Sequence, residues 1–348
     1  MRLNGRLIRA GMAFFVFAAV CSADTLHLDD LATPGHFPPR HPDPGYQKPE
    51  EVIYKTAGGE NLKLYVFNPR DHEQDQQRPA ILLIHGGGWM SGQPSFFFPH
   101  ARYFASRGMV AISVQYRLGG EAPGGIFGCL ADCKSAMRYL RNHADSFGID
   151  PDRIAVAGDS AGGHLAAALG LFDGFNDPEN DLSVSARPNA MLLYNPVLDL
   201  VDLKWTRRHP GIRKPGEMKD WDEDPVRVHK HGETPVDRAR AFSPNFNIEP
   251  DQPPALLMNG TDDKTTPVEH ARRFAKLYVD EGNRCDLVVL EEVAHACVLI
   301  NYTAEEEVVV RAIREGDKFL ESLGYLEGDP TLEVNDDRRD EQETSHEK

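Results

Sequence analysis

The chain has 348 residues, of which 41% are hydrophobic, and a formal net charge of −16. That length and apolar content suit one large α/β core, because sheets of this kind often pass 200 residues as a single domain. The negative charge argues against nucleic acid or an anionic membrane as partner, since both are themselves anionic.

At the N-terminus, Arg2, Arg6 and Arg9 precede an apolar run from Ala10 to Val20, and Cys21-Ser22-Ala23 brings small residues before Asp24. Residues 1–23 therefore read as a secretory signal peptide, too short for a membrane span, and the expected location is secreted or periplasmic. The bulky Val20 argues against the other reading, a lipoprotein acylated at Cys21. Residues 24–50 carry Pro34, Pro38, Pro39, Pro42, Pro44 and Pro49, a composition for an extended arm rather than a helix or inner strand. The remaining cysteines do not form a disulfide framework. Cys129 and Cys133 lie one helical turn apart, Cys285 and Cys297 flank opposite ends of a strand, and all four are expected as free, mostly buried thiols.

A hairpin is predicted next, from Glu51–Thr56 through Ala57-Gly-Gly-Glu60 into Leu62–Phe67. Apolar runs and helical patterns then alternate. Strands are expected at Ala80–Ile84, Val110–Val114, Ile154–Ala157, Ala190–Tyr194, Ala255–Met258 and Asp286–Leu290. Helices are expected at Phe96–Arg107, Phe127–Phe147, Gly163–Leu171, Val268–Glu281 and about Ala304–Leu323. Continuous apolar strands between helices describe a mostly parallel central sheet with helices on both faces. No strand pattern appears from Leu198 to Pro254, and residues 207–240 are dense in charge, proline and glycine. Insertions of that length are usually lids or binding loops. Trp205 and Trp221 lie at or within it, a composition suited to a sugar-like ligand, whereas His229 and His231 lack a third metal ligand and are read as surface residues. Residues 325–348 are rich in acids and are read as a solvated, disordered tail.

Three stretches carry chemistry. Ala155-Val-Ala-Gly-Asp-Ser-Ala-Gly-Gly-His164 places Gly158-Asp-Ser160-Ala-Gly162 between strand and helix, the pattern of a nucleophile elbow. Its glycines let strand and helix cross closely, and Ser160 projects above the carboxyl end of the strand. His85-Gly-Gly-Gly-Trp89 follows a buried strand, and the N–H groups of Gly87 and Gly88, joined by that of Ala161, make an oxyanion hole. His85 is expected to shape this loop by bonding backbone, and Trp89 to wall the substrate pocket. A serine needs a base, and the base an orienting acid. Met258–Pro267 offers both Asp262 and Asp263 after one strand, and Glu291–Ala296 offers His295 after the next. Each group leaves the sheet at a carboxyl-terminal strand end, where ligands collect.

With these pieces, and with Gln115-Tyr-Arg-Leu118 and Cys129–Leu140, the chain resembles an α/β-hydrolase of the hormone-sensitive-lipase-like group. Within that group it is most similar to secreted bacterial acetyl xylan and feruloyl esterase-like hydrolases. The resemblance covers roughly residues 52–323 and implies one catalytic domain over 51–324. In the G-x-x-D loop of this family the last aspartate is the acid, which selects Asp263 over Asp262. The implied activity is a serine carboxylic-ester hydrolase acting through Ser160, His295 and Asp263, on small or saccharide esters, with no metal or organic cofactor. Two residues depart from the family pattern, Asn259 where the family usually has histidine and Ala296 where it usually has glycine, and the insertion over 207–240, before the triad-acid strand, is also unusual for it. A peptidase would need an anchor for a peptide terminus, which is not evident, and a non-catalytic binder usually lacks a triad member. Oligomeric state does not follow from the sequence.

Overall fold

The computed structural model describes residues 25–26, 28–31, 48–119, 125–202, 235–299 and 305–334. Its strands are β1 (Glu50–Ala57), β2 (Glu60–Phe67), β3 (Arg78–Ile84), β4 (Val110–Val114), β5 (Ile149–Asp159), β6 (Ala190–Tyr194), β7 (Ala255–Gly260) and β8 (Cys285–Leu290). They form one sheet in the order β1-β2-β4-β3-β5-β6-β7-β8. β1 and β2 are the expected hairpin, β2 runs antiparallel to β4, and every later pairing is parallel.

Along β3 the side chains alternate between two cores. Ala80, Leu82 and Ile84 face one, Ile81 and Leu83 the other. The first core is covered by α3 (Ile126–Asn142), α5 (Ser160–Leu171) and α7 (Val268–Asp280), and the second by α2 (Phe98–Ser106) and α8 (Glu306–Ser322). Apolar residues on both faces are why the inner strands read as unbroken hydrophobic runs.

The expected elements shift in instructive ways. The helix predicted over 127–147 divides at His143, whose backbone leaves helical geometry (φ −116°) and whose ring Nδ1 lies 2.8 Å from the Tyr139 carbonyl. A single turn, α4 (Ala144–Phe147), follows and ends at Gly148 with φ 58°. The helix after the elbow starts at Ser160 itself rather than at Gly163. Within the arm, α1 (Leu28–Leu31) buries Leu28 and Leu31, and Arg102 donates to the Leu31 carbonyl at 2.6 Å, so this part is docked rather than extended.

The stretch read as tail from residue 325 is packed at its start. Tyr325, Leu326 and Leu332 are buried, and Leu26 and Glu333 exchange backbone hydrogen bonds with this end: Leu26 N–H to the Thr331 carbonyl and Glu333 N–H to the Leu26 carbonyl, both at 2.8 Å. Apolar side chains scattered among acids are enough to seat it. Residues 1–23 and 335–348 lie outside the described residues, as do Trp205, Trp221, His229 and His231. Of the insertion, α6 (Pro235–Ala241) is described, and the chain on either side of it is tied together by Leu200 N–H to Ser243 Oγ at 2.7 Å and Asn245 N–H to the Leu198 carbonyl at 3.0 Å. Cys129, Cys133, Cys285 and Cys297 are free thiols, as expected. Among the described residues no helix is long and apolar enough to cross a membrane.

One buried ion pair clamps α2 to α8. Asp317 is wholly buried and accepts from Tyr103 Oη at 2.6 Å and Arg107 Nε at 2.7 Å. Arg107 also donates to the carbonyls of Glu327 and Gly328, so it straps the C-terminal segment as well. Asp317→Ala leaves the Arg107 guanidinium without its buried counter-ion and the Tyr103 phenol without its acceptor, and the expected destabilisation is about 3–5 kcal/mol. Urea unfolding of the variant measures it, and a loss below about 1 kcal/mol would mean that water replaces the carboxylate there.

Candidate active site

The elbow is built by close approach. A methyl group at Gly158 would meet the Gly162 carbonyl oxygen at 2.3 Å, and one at Gly162 would meet the Ile84 carbonyl oxygen at 2.1 Å. Both positions must lack a side chain for α5 to leave β5 over the end of β3. The turn holds Ser160 at φ 52°, a left-handed conformation that non-glycine residues rarely adopt, so its Oγ stands out above the sheet.

Two loops meet that hydroxyl. After β8, His295 brings Nε2 to 2.9 Å from Ser160 Oγ. After β7, Asp263 places Oδ2 2.7 Å from His295 Nδ1. The carboxylate fixes the tautomer: Nδ1–H donates to Asp263, which leaves Nε2 to accept the serine proton. Asp263 is 4% exposed. Burial by itself would raise its pKa, but hydrogen bonds from His295 and Thr266 outweigh burial and hold it below the ordinary carboxylate value. Its Oδ1 accepts the N–H groups of Thr265 at 2.8 Å and Thr266 at 2.7 Å, and the Thr266 hydroxyl reaches Oδ2 at 2.7 Å. Asp262 instead points outward, with 61% of its side chain exposed and Lys264 Nζ at 3.6 Å. Of the two aspartates, Asp263 is the one within hydrogen-bond reach of His295.

The loop after β3 lies beside Ser160. Gly87 has φ 113° and Gly88 φ 62°, and the Gly87 carbonyl accepts the N–H groups of Met90 and Ser91, which folds the loop back on itself. Ala161 opens α5, where backbone N–H groups have no helical partner. The His85 ring does shape this loop: its Nδ1 donates to the Gly86 carbonyl at 2.8 Å, and the ring stacks on Tyr116 at 4.4 Å. Burial pushes its pKa down to about 4, which makes it too weak a proton acceptor to be the base. Trp89 is placed differently from expectation. Its indole is 2% exposed and meets His164 edge-on at 5.3 Å, within the core beneath the loop rather than on an open wall. A positive φ of 60° at Trp89 turns the ring inward.

The two departures from the family pattern also find places. Asn259 is buried and donates to the Thr266 carbonyl at 3.0 Å, bracing the Asp263 loop. Ala296 sits at φ 62°, where glycine would be unstrained and alanine costs roughly 1–2 kcal/mol. Thr266 was not singled out from the sequence; a threonine three residues after a candidate aspartate carries no signal until the loop is folded. The Gln115–Leu118 and Cys129–Leu140 motifs pair, because Arg117 grips the buried Asp132 through Nε at 2.8 Å and Nη2 at 2.7 Å.

The profile of the BD-FAE family matches residues 64–278, most of the sheet together with the serine and the aspartate. The chain belongs to the BD-FAE family. It is an α/β-hydrolase of the carboxylesterase type. Thermogutta terrifontis esterase 2 superposes with a TM-score of 0.70 at 34% identity, over 83% of this chain and 99% of that one. That enzyme has also been solved with propionate and with butyrate bound. Esterase LipC of Mycobacterium tuberculosis is 29% identical over 71% of this chain and 61% of its own length. Mouse hormone-sensitive lipase is 33% identical over 43% of this chain and 21% of its own. The chain thus spans less than two thirds of these two curated relatives.

Proposed function

We propose that the protein hydrolyses carboxylic esters through an acyl-enzyme on Ser160. The observation that carries this reading is the unbroken hydrogen-bond chain Asp263–His295–Ser160, at 2.7 and 2.9 Å. Ser160 Oγ attacks the ester carbonyl carbon while His295 Nε2 takes its proton. The carbonyl oxygen becomes an oxyanion, met by the N–H groups of Gly87, Gly88 and Ala161. The C–O bond to the alcohol then breaks, and the imidazolium gives its proton to the departing alkoxide. Water, deprotonated by the same nitrogen, attacks the acyl-serine; the carboxylic acid leaves and Ser160 recovers its proton. Asp263 stays ionised throughout and holds the imidazolium in place.

For substrate we propose short acyl groups, acetate foremost, on saccharide or other small alcohols, in an exported protein. Propionate and butyrate in the Thermogutta enzyme support the acyl length. The basic, apolar and small-residue order of residues 2–23 supports export. The test is a p-nitrophenyl ester series from acetate to decanoate, followed by acetylated xylan and feruloylated sugars. Turnover should fall steeply beyond butyrate, and release of acetate from xylan should exceed release of ferulate. A preference for octanoate or longer would overturn the short-acyl reading.

A further inference from the structure

Gly86 does not lie in the left-handed region, unlike Gly87 and Gly88 after it, so its missing side chain has another cause. A methyl group there would lie 2.6 Å from Asp159 Oδ2 and 2.9 Å from the Asp159 carbonyl oxygen. Asp159, the residue before the nucleophile, is 2% exposed, and its Oδ1 accepts the Gly86 N–H at 2.8 Å. The elbow and the oxyanion loop are thus joined by a buried carboxyl that the hydrolytic steps above do not use. Burying a carboxylate is unfavourable; here burial pushes its pKa up to about 6, against the opposing pull of the Gly86 N–H and of His295. Three titratable side chains act on it electrostatically: His295 and Cys297 from the loop after β8, and Tyr116 after β4. Burial pushes the Cys297 thiol up to about 12 and the Tyr116 phenol well above its ordinary value, so both stay neutral. The His85 ring behind them is neutral too. His295 is the neighbour whose charge changes in the proposed reaction.

We propose that Asp159 is a positioning residue for ester hydrolysis, holding Gly86 so that the Gly87 and Gly88 N–H groups meet the oxyanion formed at Ser160. This rests on the serine-esterase reading. Oxyanion donors act because they are set before the charge develops, and a loop freed to shift by about 1 Å forfeits roughly a hundredfold in rate. Ground-state binding of a small ester barely depends on those donors, so the loss belongs to kcat rather than KM.

The experiment compares Asp159→Ala and Asp159→Asn with the wild type on p-nitrophenyl acetate, with competent serines counted by paraoxon labelling and with Ser160→Ala alongside. Asp159→Ala is expected to lower kcat about 30- to 300-fold per labelled serine while KM stays within about threefold. Asp159→Asn keeps an oxygen for the Gly86 N–H and should recover at least about tenfold of that loss. An Asp159→Ala variant within threefold of wild-type kcat overturns the proposal, and so does an asparagine variant as slow as the alanine one. If Asp159→Ala does not fold, Gly86→Ala decides, since its methyl group would lie 2.6 Å from Asp159 Oδ2: kcat lowered at least about tenfold with KM within threefold supports the positioning role, and a kcat within threefold of wild type overturns it. Failure of the esterase reading looks different, because Ser160→Ala then hydrolyses the ester as fast as the wild type.

Discussion

Ser160→Ala is expected to lower p-nitrophenyl acetate turnover by at least about three decades, because the triad acts as a unit and its remaining members have no nucleophile to activate. The fold should survive. Among the described residues the Ser160 hydroxyl bonds the His295 ring, and alanine meets the same left-handed backbone that serine already tolerates. The thermal midpoint should therefore stay within about 2 °C, a shift equivalent to about 1 kcal/mol for a domain of this size. Paraoxon supplies an independent readout: wild-type protein should gain one phosphoryl adduct on Ser160, and the variant none. Near-full turnover in the variant, or an adduct elsewhere that tracks inactivation, would place the nucleophile at another residue.

Asp263→Asn should cost roughly four decades in kcat, and Asp262→Asn less than about twofold. The contrast is electrostatic and geometric. An amide nitrogen in place of Asp263 Oδ2 faces Nδ1–H donor to donor; switching the imidazole tautomer leaves Nε2 protonated, with no lone pair for the serine proton, and turning the amide instead sets its nitrogen against the N–H groups of Thr265 and Thr266. Asp262 meets solvent and Lys264 at 3.6 Å, so its charge is screened. Asp263 also has a pH signature. Its folded pKa lies below the ordinary 3.8, so its pairing stabilises the fold fully above that value and is lost as pH falls through the lower, folded one. Wild-type protein should therefore lose more stability between about pH 4 and 2 than Asp263→Asn does, which unfolding at a series of pH values measures. Losses in the order opposite to the predicted one would mean that the loop after β7 is held in a different register in solution.

The strands and the elbow were legible before any coordinates, for a local reason. A two-face-buried strand must be apolar throughout, and a strand-to-helix crossing as close as that between Gly158 and Gly162 tolerates no side chain, so both leave marks in consecutive residues. That Ser160, Asp263 and His295 share one edge of the sheet was legible because parallel strands send successive loops to the same edge. Tertiary structure decided the rest. Trp89 was placed by a single positive φ, which turned an expected pocket wall into core, and Leu28, Leu326 and Leu332 found cover that an arm rich in proline or a tail rich in acids does not announce. The contact of Asp263 with His295 and the bond from Gly86 to Asp159 depend on groups 32 and 73 residues apart meeting at distances below 3 Å. Composition and periodicity record which side chains are buried, but which polar atoms meet is a property of the closed fold, where each buried donor must find its acceptor.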